Sequence, residues 1–378
     1  MSRTLAAILG GAAGAVALVG ILVIIIWYCI FRSRSISRTS ETGSSDPSFQ
    51  AGRPVGIEFT LRDARRFEME ELLSATRNFS DKSLIGQGKF GEVYKGLLHD
   101  GMLVAIKKRP GPPSQEFVDE VRYLSSIQHR NLVTLLGYCQ ENDLQILVYE
   151  YIPNGSVSIH LYGAGQVSQE KLEFKLRLSI ALGAAKGLAH LHSLSPRLIH
   201  KDFKTANVLV DEDFIAKVAD AGLRNFLGRF EYAGPSSQVA ADEIFLAPEV
   251  SEFRQFSDKS DVYSFGVFLL ELVSGQEARD LLPSDANQNL VDWLQNLQDS
   301  GSISTIIDQR LGSFTREGME EFIQLIVNCV NPSRERRHVM SYVVTELDRI
   351  LDKEMSSPFM GEGTPVVILG SHLFRASK

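Results

Sequence analysis

Cysteine is scarce in this chain, and the three present exclude two large classes of protein. Cys29, Cys139 and Cys329 lie too far apart to frame a disulfide scaffold or to supply the paired ligands of a zinc site. A reducing compartment is the natural setting for such usage. Basic residues are in deficit as well. Against 46 Asp and Glu stand 39 Lys and Arg, a formal charge of -7, the wrong sign for a chain whose main partner is nucleic acid. Charge of either sign is absent between Arg3 and Arg32. What remains is ordinary for a globular protein, 44% hydrophobic and 22% charged over 378 residues. At roughly 100–200 residues per domain, that length allows two or three units.

The uncharged N-terminal stretch, residues 5–31, is almost wholly apolar. About 20 such residues span a bilayer as a helix. A cleaved signal peptide is the rival, but its apolar core usually runs to about 7–15 residues. This run is longer, and Arg32, Arg34 and Arg38 follow it directly. The pattern predicts a retained single span with the C-terminal side in the cytoplasm and a short external stretch, residues 1–4. Residues 32–66 follow as a linker; up to Pro54 they are rich in Ser, Thr, Gly and Arg and poor in large apolar side chains, a composition that cannot bury a core.

From Phe67 the pattern changes. F-E-M-E-E-L-L-S-A-T-R-N-F has apolar residues at helical spacing. I-G-Q-G-K-F-G-E-V-Y-K-G then runs from 85 to 96. A G-x-G-x-x-G that opens a helix would be a dinucleotide fingerprint. Here it runs into V-Y-K-G-L-L, a His-Asp-Gly turn and L-V-A-I-K-K, which reads as strand, turn, strand. Glycines there let backbone amides approach phosphates, and Lys107 falls in the strand context that pairs with nucleotide phosphates. Residues 115–127 read as an amphipathic helix carrying Glu120, and L-V-T-L-L-G-Y-C and L-Q-I-L-V-Y-E-Y as two more strands. Beyond Pro153-Asn154-Gly155 the chain turns helical. A short apolar run at 366–369 stands in the tail, residues 355–378.

The stretch from 198 to 222 organises the rest. It reads L-I-H-K-D-F-K-T-A-N-V-L-V-D and later K-V-A-D-A-G. Phosphoryl transfer from a nucleotide needs one carboxylate to take or orient the hydroxyl proton, and an amide and a second carboxylate to hold Mg²⁺. Asp202, Asn207 and Asp220 fit those roles in order, and Lys204 fits a contact to the transferred phosphate. A lone polar turn with an Asx bond is the ordinary alternative for such a loop; the motifs upstream argue against it.

Together these motifs resemble the protein kinase family, and more narrowly the plant receptor-like kinases related to Pelle-type kinases. The narrower likeness rests on R-F-E-M-E-E-L-L-S-A-T-R-N-F, H-R-N-L-V-T-L-L-G-Y-C, L-V-Y-E-Y-I-P-N-G-S and K-S-D-V-Y-S-F-G-V. The resemblance implies an α+β, bilobal fold: an N-lobe (67–152) with a five-stranded sheet, one main helix and a leading helix, and a mainly helical C-lobe (153–354), all preceded by the single transmembrane helix. It implies ATP with Mg²⁺ (or Mn²⁺) as the nucleotide and metal. Gly86, Gly88 and Gly91 would cover the phosphates, and Lys107 would hold them while pairing with Glu120. Tyr149 would back the adenine pocket, Glu150 and Tyr151 would form the hinge, and Ile85, Val93, Ala105 and Leu209 would sandwich the base. Asp202 would be the base, with Lys204 the serine/threonine-type companion, and Asn207 and Asp220 the metal ligands. Glu249 would pair with Arg337. The implied activity is transfer of the γ-phosphate to protein Ser/Thr at the plasma membrane, with a co-receptor or second membrane kinase as partner. The alternative is a nucleotide-binding or inactive scaffold.

Three departures stand out. H-R-D is H-K-D, with Lys201; D-F-G is D-A-G, with Ala221; and the G-T-x-G-Y-L before A-P-E is A-D-E-I-F-L, with Asp242. Loss of a buried phenyl costs about 3–5 kcal/mol unless neighbouring groups fill the space.

Overall fold

A computed structural model describes residues 64–88, 91–163, 172–223, 243–282, 290–300, 302–356, and the backbone of 366–369 and 372–375. All belong to one compact unit, Thr60–Lys378. The apolar run at 5–31 and the linker up to 63 lie outside the described residues. Among those described, no helix is long and apolar enough to cross a membrane.

The N-lobe is a sheet carrying two helices. Its strands are β1 (Arg65–Arg66), β2 (Leu84–Gly88), β3 (Gly91–Leu97), β4 (Leu103–Pro110), β5 (Leu135–Glu141) and β6 (Leu144–Glu150), in the order β1-β5-β6-β4-β3-β2. Six strands replace the five expected. The addition is β1, which lies parallel to β5 with Arg65 opposite Gly137 and Arg66 opposite Tyr138. Two arginines carry no apolar alternation, so nothing in the sequence marks them as a strand. Gly137 permits the approach, because a Cβ there would sit 1.9 Å from the Arg65 carbonyl oxygen. Phe67, 1% exposed, seals the join, and Arg65 lies over its ring and pairs with Glu71.

Period-two alternation in β4 sets the two faces of the sheet. Val104 and Ile106 are fully buried with Ile146, Val148 and Leu72 of α1 (Met69–Thr76). Each such side chain contributes about 1.5–3 kcal/mol. Ala105 and Lys107, one residue out of phase, take the opposite face. Helix α2 (Gln115–Ser125) starts at Ser114, whose hydroxyl accepts from the Phe117 amide, and buries Phe117, Val121 and Leu124 along one stripe.

The C-lobe contains α3 (Val157–Tyr162), α4 (Phe174–Ser193), the strand pair β7 (Val208–Val210) and β8 (Ala216–Val218), α5 (Pro248–Phe253), α6 (Asp258–Ser274), α7 (Ala278–Leu281), α8 (Leu290–Asp299), α9 (Arg316–Cys329) and α10 (Met340–Ser356). Helix α6 is its axis. A reciprocal Ser257–Ser260 cap starts it, Gly275 ends it in the left-handed region, and most of its residues between are buried. Phe203, from the loop between α4 and β7, packs its ring 5.7 Å and 5.6 Å from those of Phe265 and Phe268 on α6. The apolar run at 366–369 forms β9 (Val366–Leu369), paired antiparallel with β10 (His372–Arg375).

Candidate active site

The sheet delivers the first wall of the site. In register, Gly86 and Lys107 lie opposite Val93, Gly88 opposite Gly91, and Ala105 opposite Tyr149. Gly91 has φ of 110°, and a Cβ there would meet the Lys108 carbonyl oxygen at 2.2 Å. No other residue type fits that corner. Ile85 sits on an irregularity of β2 and is half exposed, while Leu209 lies half-buried on β7, bridged to Ser156. Lys89 and Phe90, at the tip of the hairpin, lie outside the described residues.

Glu150 and Tyr151 link the lobes. The Glu150 amide donates to the Thr134 carbonyl at 3.0 Å. Its carboxylate accepts from the Thr134 amide (2.8 Å) and hydroxyl (3.0 Å) and from Lys217 on β8 (3.1 Å). Lys95, on the cleft face of β3, holds its ammonium 4.3 Å from the centre of the Tyr151 ring, a cation–π contact. The motifs gave no signal for Lys95, Thr134 or Lys217, because each acts on a hinge residue distant in sequence.

The second wall is the loop between α4 and β7, hung from Asp261 of α6. One Asp261 oxygen accepts from the His200 amide at 2.8 Å and lies 2.8 Å from His192 Nε2; the other accepts from the Lys201 amide at 3.0 Å. This grip holds Lys201 at φ 68°, a conformation that ordinary side chains avoid. Asp202 follows, 8% exposed, with the Lys204 ammonium 3.8 Å from its carboxylate. The Asn207 amide nitrogen donates to the Asp202 carbonyl at 2.8 Å, and the Ala219 amide donates to the Asn207 carbonyl at 2.8 Å. That last bond ties β8 and Asp220 to the loop.

Asp220 closes the ring. Its φ is 62°, and its carboxylate meets the Lys107 ammonium at 2.6 Å. This corrects the pairing expected from sequence. Lys107 is held by Asp220, while Glu120 makes no hydrogen bond or ion pair among the described residues. Glu120 is partly buried, and burial pushes its carboxyl above the usual range, with Lys201 pulling the other way. Asp220 stands in the left-handed region, and from there its carboxylate reaches the Lys107 ammonium.

Asn207 and Asp220 fit Mg²⁺ by donor chemistry. One amide oxygen and one carboxylate are what a cation needs when it keeps waters and phosphate oxygens as its remaining ligands. No cluster of three His, Cys, Asp or Glu side chains forms an all-protein cage among the described residues.

Beside Ala221 lies a pocket of about 30 Å³ lined by Leu124, Leu135, Tyr149, Leu191, Leu198 and Asp220. At about 24 cal/mol per Å³ such a space costs about 0.7 kcal/mol, well below the loss expected from truncation alone. Tyr149, its phenol pushed up by burial and by Asp220, and Leu124 line this space. A phenyl ring at 221 would crowd them. Ala221→Phe is therefore expected to destabilise the domain by about 1–3 kcal/mol, read from the urea unfolding midpoint; a more stable variant would show that the space is larger than described.

The segment carrying Asp242 lies outside the described residues. Glu249 and Arg337, by contrast, form the expected pair, at 2.7 Å and 2.9 Å through both guanidinium nitrogens.

Comparison with known proteins agrees with this geometry. Residues 79–347 match the family described as protein tyrosine and serine/threonine kinase. The nodulation receptor kinase of Pisum sativum is 37% identical over 354 residues, covering 91% of this chain and 38% of that protein. The serine/threonine-protein kinase CDG1 of Arabidopsis thaliana is 40% identical over 338 residues, covering 84% of this chain and 78% of that one. Among solved structures, the pseudokinase domain of BIR2, described as an immune regulator of the RLK/Pelle family, aligns with a TM-score of 0.63 and 31% identity, covering 79% of this chain and 93% of that one. The chain thus spans little more than a third of the length of the receptor it matches.

Proposed function

This chain belongs to the protein kinase family, among the plant receptor-like kinases, and from that membership we propose that it transfers the γ-phosphate of ATP to serine or threonine hydroxyls of proteins. One observation carries the reading. Lys107 pairs with Asp220 at 2.6 Å, the neighbouring Ala219 amide donates to the Asn207 carbonyl at 2.8 Å, the Asn207 side chain donates to the Asp202 carbonyl at 2.8 Å, and the Lys204 ammonium lies 3.8 Å from the Asp202 carboxylate.

With nucleotide bound, Lys107 would hold its phosphates, and Asn207 and Asp220 would hold Mg²⁺, which would supply neutralisation of the phosphate charge. Asp202 accepts the proton of the incoming hydroxyl as its oxygen bonds to the γ-phosphorus and the bond to the β-phosphate oxygen breaks. Lys204 steadies the charge on the transferred group. Val93, Ala105, Leu209 and Ile85 sandwich the adenine against the hinge of Glu150 and Tyr151, and Gly86, Gly88 and Gly91 cover the phosphates. Glu120 serves once it replaces Asp220 at Lys107.

Two experiments test this. Lys107→Met should weaken Mg-ATP binding by about tenfold or more, about 1.4 kcal/mol, measured by calorimetry. Equal affinity in both proteins would remove Lys107 from the phosphate site. On this reading the site would lie at the cytoplasmic face of a membrane, anchored through residues 5–31, near a co-receptor or second membrane kinase. Full-length protein should then stay in the pellet after alkaline carbonate washing; its release would overturn that placement.

A second reading has a specific observation behind it. The Lys107 ammonium is paired with Asp220, and Glu120 makes no ion pair with it among the described residues, as would suit a scaffold that signals by conformation. The BIR2 domain it resembles is a pseudokinase by its own description.

A further inference from the structure

Glu271, on α6, is 2% exposed, and no lysine or arginine lies within ion-pair distance of it among the described residues. A carboxylate buried without a cation is costly. Here three neutral donors from three different elements satisfy it. The Thr205 hydroxyl donates to Oε2, the Tyr162 hydroxyl at the end of α3 donates to the same oxygen at 3.0 Å, and the Ala278 amide at the start of α7 donates to Oε1 at 2.9 Å. Burial pushes the Glu271 carboxyl up, and the bonds from Thr205, Ala278 and Tyr162 pull it back.

Of those donors only Thr205 belongs to the loop that carries the chemistry. It opens the single 3-10 turn Thr205–Asn207, is 1% exposed, and stands directly after Lys204. Within that turn the Asn207 amide donates to the Lys204 carbonyl at 2.9 Å, and the Asn207 side chain reaches back to Asp202. The turn has no side-chain N-cap: Lys204, at that position, makes no side-chain cap bond. Among the described residues, a side-chain anchor from the turn to the helical core is the Thr205 hydroxyl on Glu271. Asp261 anchors the start of the loop at His200 and Lys201, so α6 grips the loop at both ends, once through backbone amides and once through a side chain.

We propose that Glu271, acting through the Thr205 hydroxyl, is a positioning residue that fixes the Thr205–Asn207 turn so that the Asn207 amide oxygen meets Mg²⁺. This rests on the kinase reading above. Tyr162 supplies an internal control. Its hydroxyl bonds the same carboxylate oxygen from outside the loop, so removing it weakens the cluster without releasing the turn.

The test uses the full chain and measures ATP affinity by calorimetry across a range of Mg²⁺ concentrations, so that it needs no turnover. Thr205→Val, nearly isosteric, should raise the Mg²⁺ concentration for half-maximal ATP binding about tenfold, the scale seen for groups that orient a metal ligand. ATP affinity at saturating Mg²⁺ should stay near that of the wild type, and Thr205→Ser should restore the wild-type requirement. Tyr162→Phe should lower the melting temperature about as much as Thr205→Val and leave the Mg²⁺ requirement unchanged. Should Thr205→Val be too unstable to purify, Glu271→Gln is expected to give the same Mg²⁺ shift. A wild-type Mg²⁺ requirement in Thr205→Val, or an equal shift in Tyr162→Phe, overturns the proposal. Wild-type ATP binding with no dependence on Mg²⁺ overturns the kinase reading itself, and this inference falls with it.

Discussion

Arg337→Ala is expected to destabilise the kinase domain by about 3–5 kcal/mol, the range for breaking a buried ion pair from one side. The Arg337 side chain is fully buried, and Glu249 is 12% exposed. The guanidinium donates to both Glu249 oxygens, to the Asn331 carbonyl at 2.6 Å, the Lys259 carbonyl at 3.0 Å and the Pro332 carbonyl at 3.2 Å. It also stands 5.1 Å from the centre of the Tyr263 ring. Truncation would strand one carboxylate and three carbonyls in a space that water enters poorly. Arg337→Lys should recover little, because an ammonium cannot reproduce the planar fork. The quantity to measure is the free energy of urea unfolding. A loss below about 1 kcal/mol, the centre of the range for ordinary substitutions, would mean that the pair is replaced by water at small cost. The same pair fastens α5 to the segment between α9 and α10, so the variant should also lose activity near its lowered melting temperature.

Much of this architecture was legible because local patterns carried it. The alternation in L-V-A-I-K-K put Lys107 on the face opposite Val104 and Ile106 without any knowledge of the partner strands. The order of Asp202, Asn207 and Asp220 named a phosphoryl-transfer loop because each role needs a different functional group at a fixed short spacing. The Glu249–Arg337 pair followed from the resemblance and was found. Contacts that depend on distant chain segments were illegible. Strand β1 exists because an arginine pair finds the free edge of β5 beside Gly137, and no local periodicity encodes that. Lys107 pairs with Asp220, which stands 113 residues away in the left-handed region, and no local spacing announces that contact. Ala221 read as a large loss of packing, yet the space beside it is small and lined by Tyr149 and Leu124 from separate elements. Glu271 drew no attention in the sequence because a glutamate within L-L-E-L looks like one polar position on a buried helix.

Asp202→Asn is expected to lower phosphate transfer about a thousandfold, within the range for a lost general base and equal to about 4 kcal/mol in the barrier. Asp202 is 8% exposed, and its backbone carbonyl, not its carboxylate, carries the short bond to Asn207. The isosteric amide should therefore leave the loop in place and Mg-ATP affinity nearly unchanged while removing the proton acceptor. The deciding measurement is incorporation of labelled γ-phosphate into serine and threonine of a protein acceptor by the full chain with Mg-ATP, beside Asp202→Asn at equal nucleotide occupancy. Incorporation by the wild type and its loss in the variant is the result this account predicts. Equal incorporation in both proteins, or none in a wild type that binds Mg-ATP, would contradict it, the latter leaving the scaffold reading in its place.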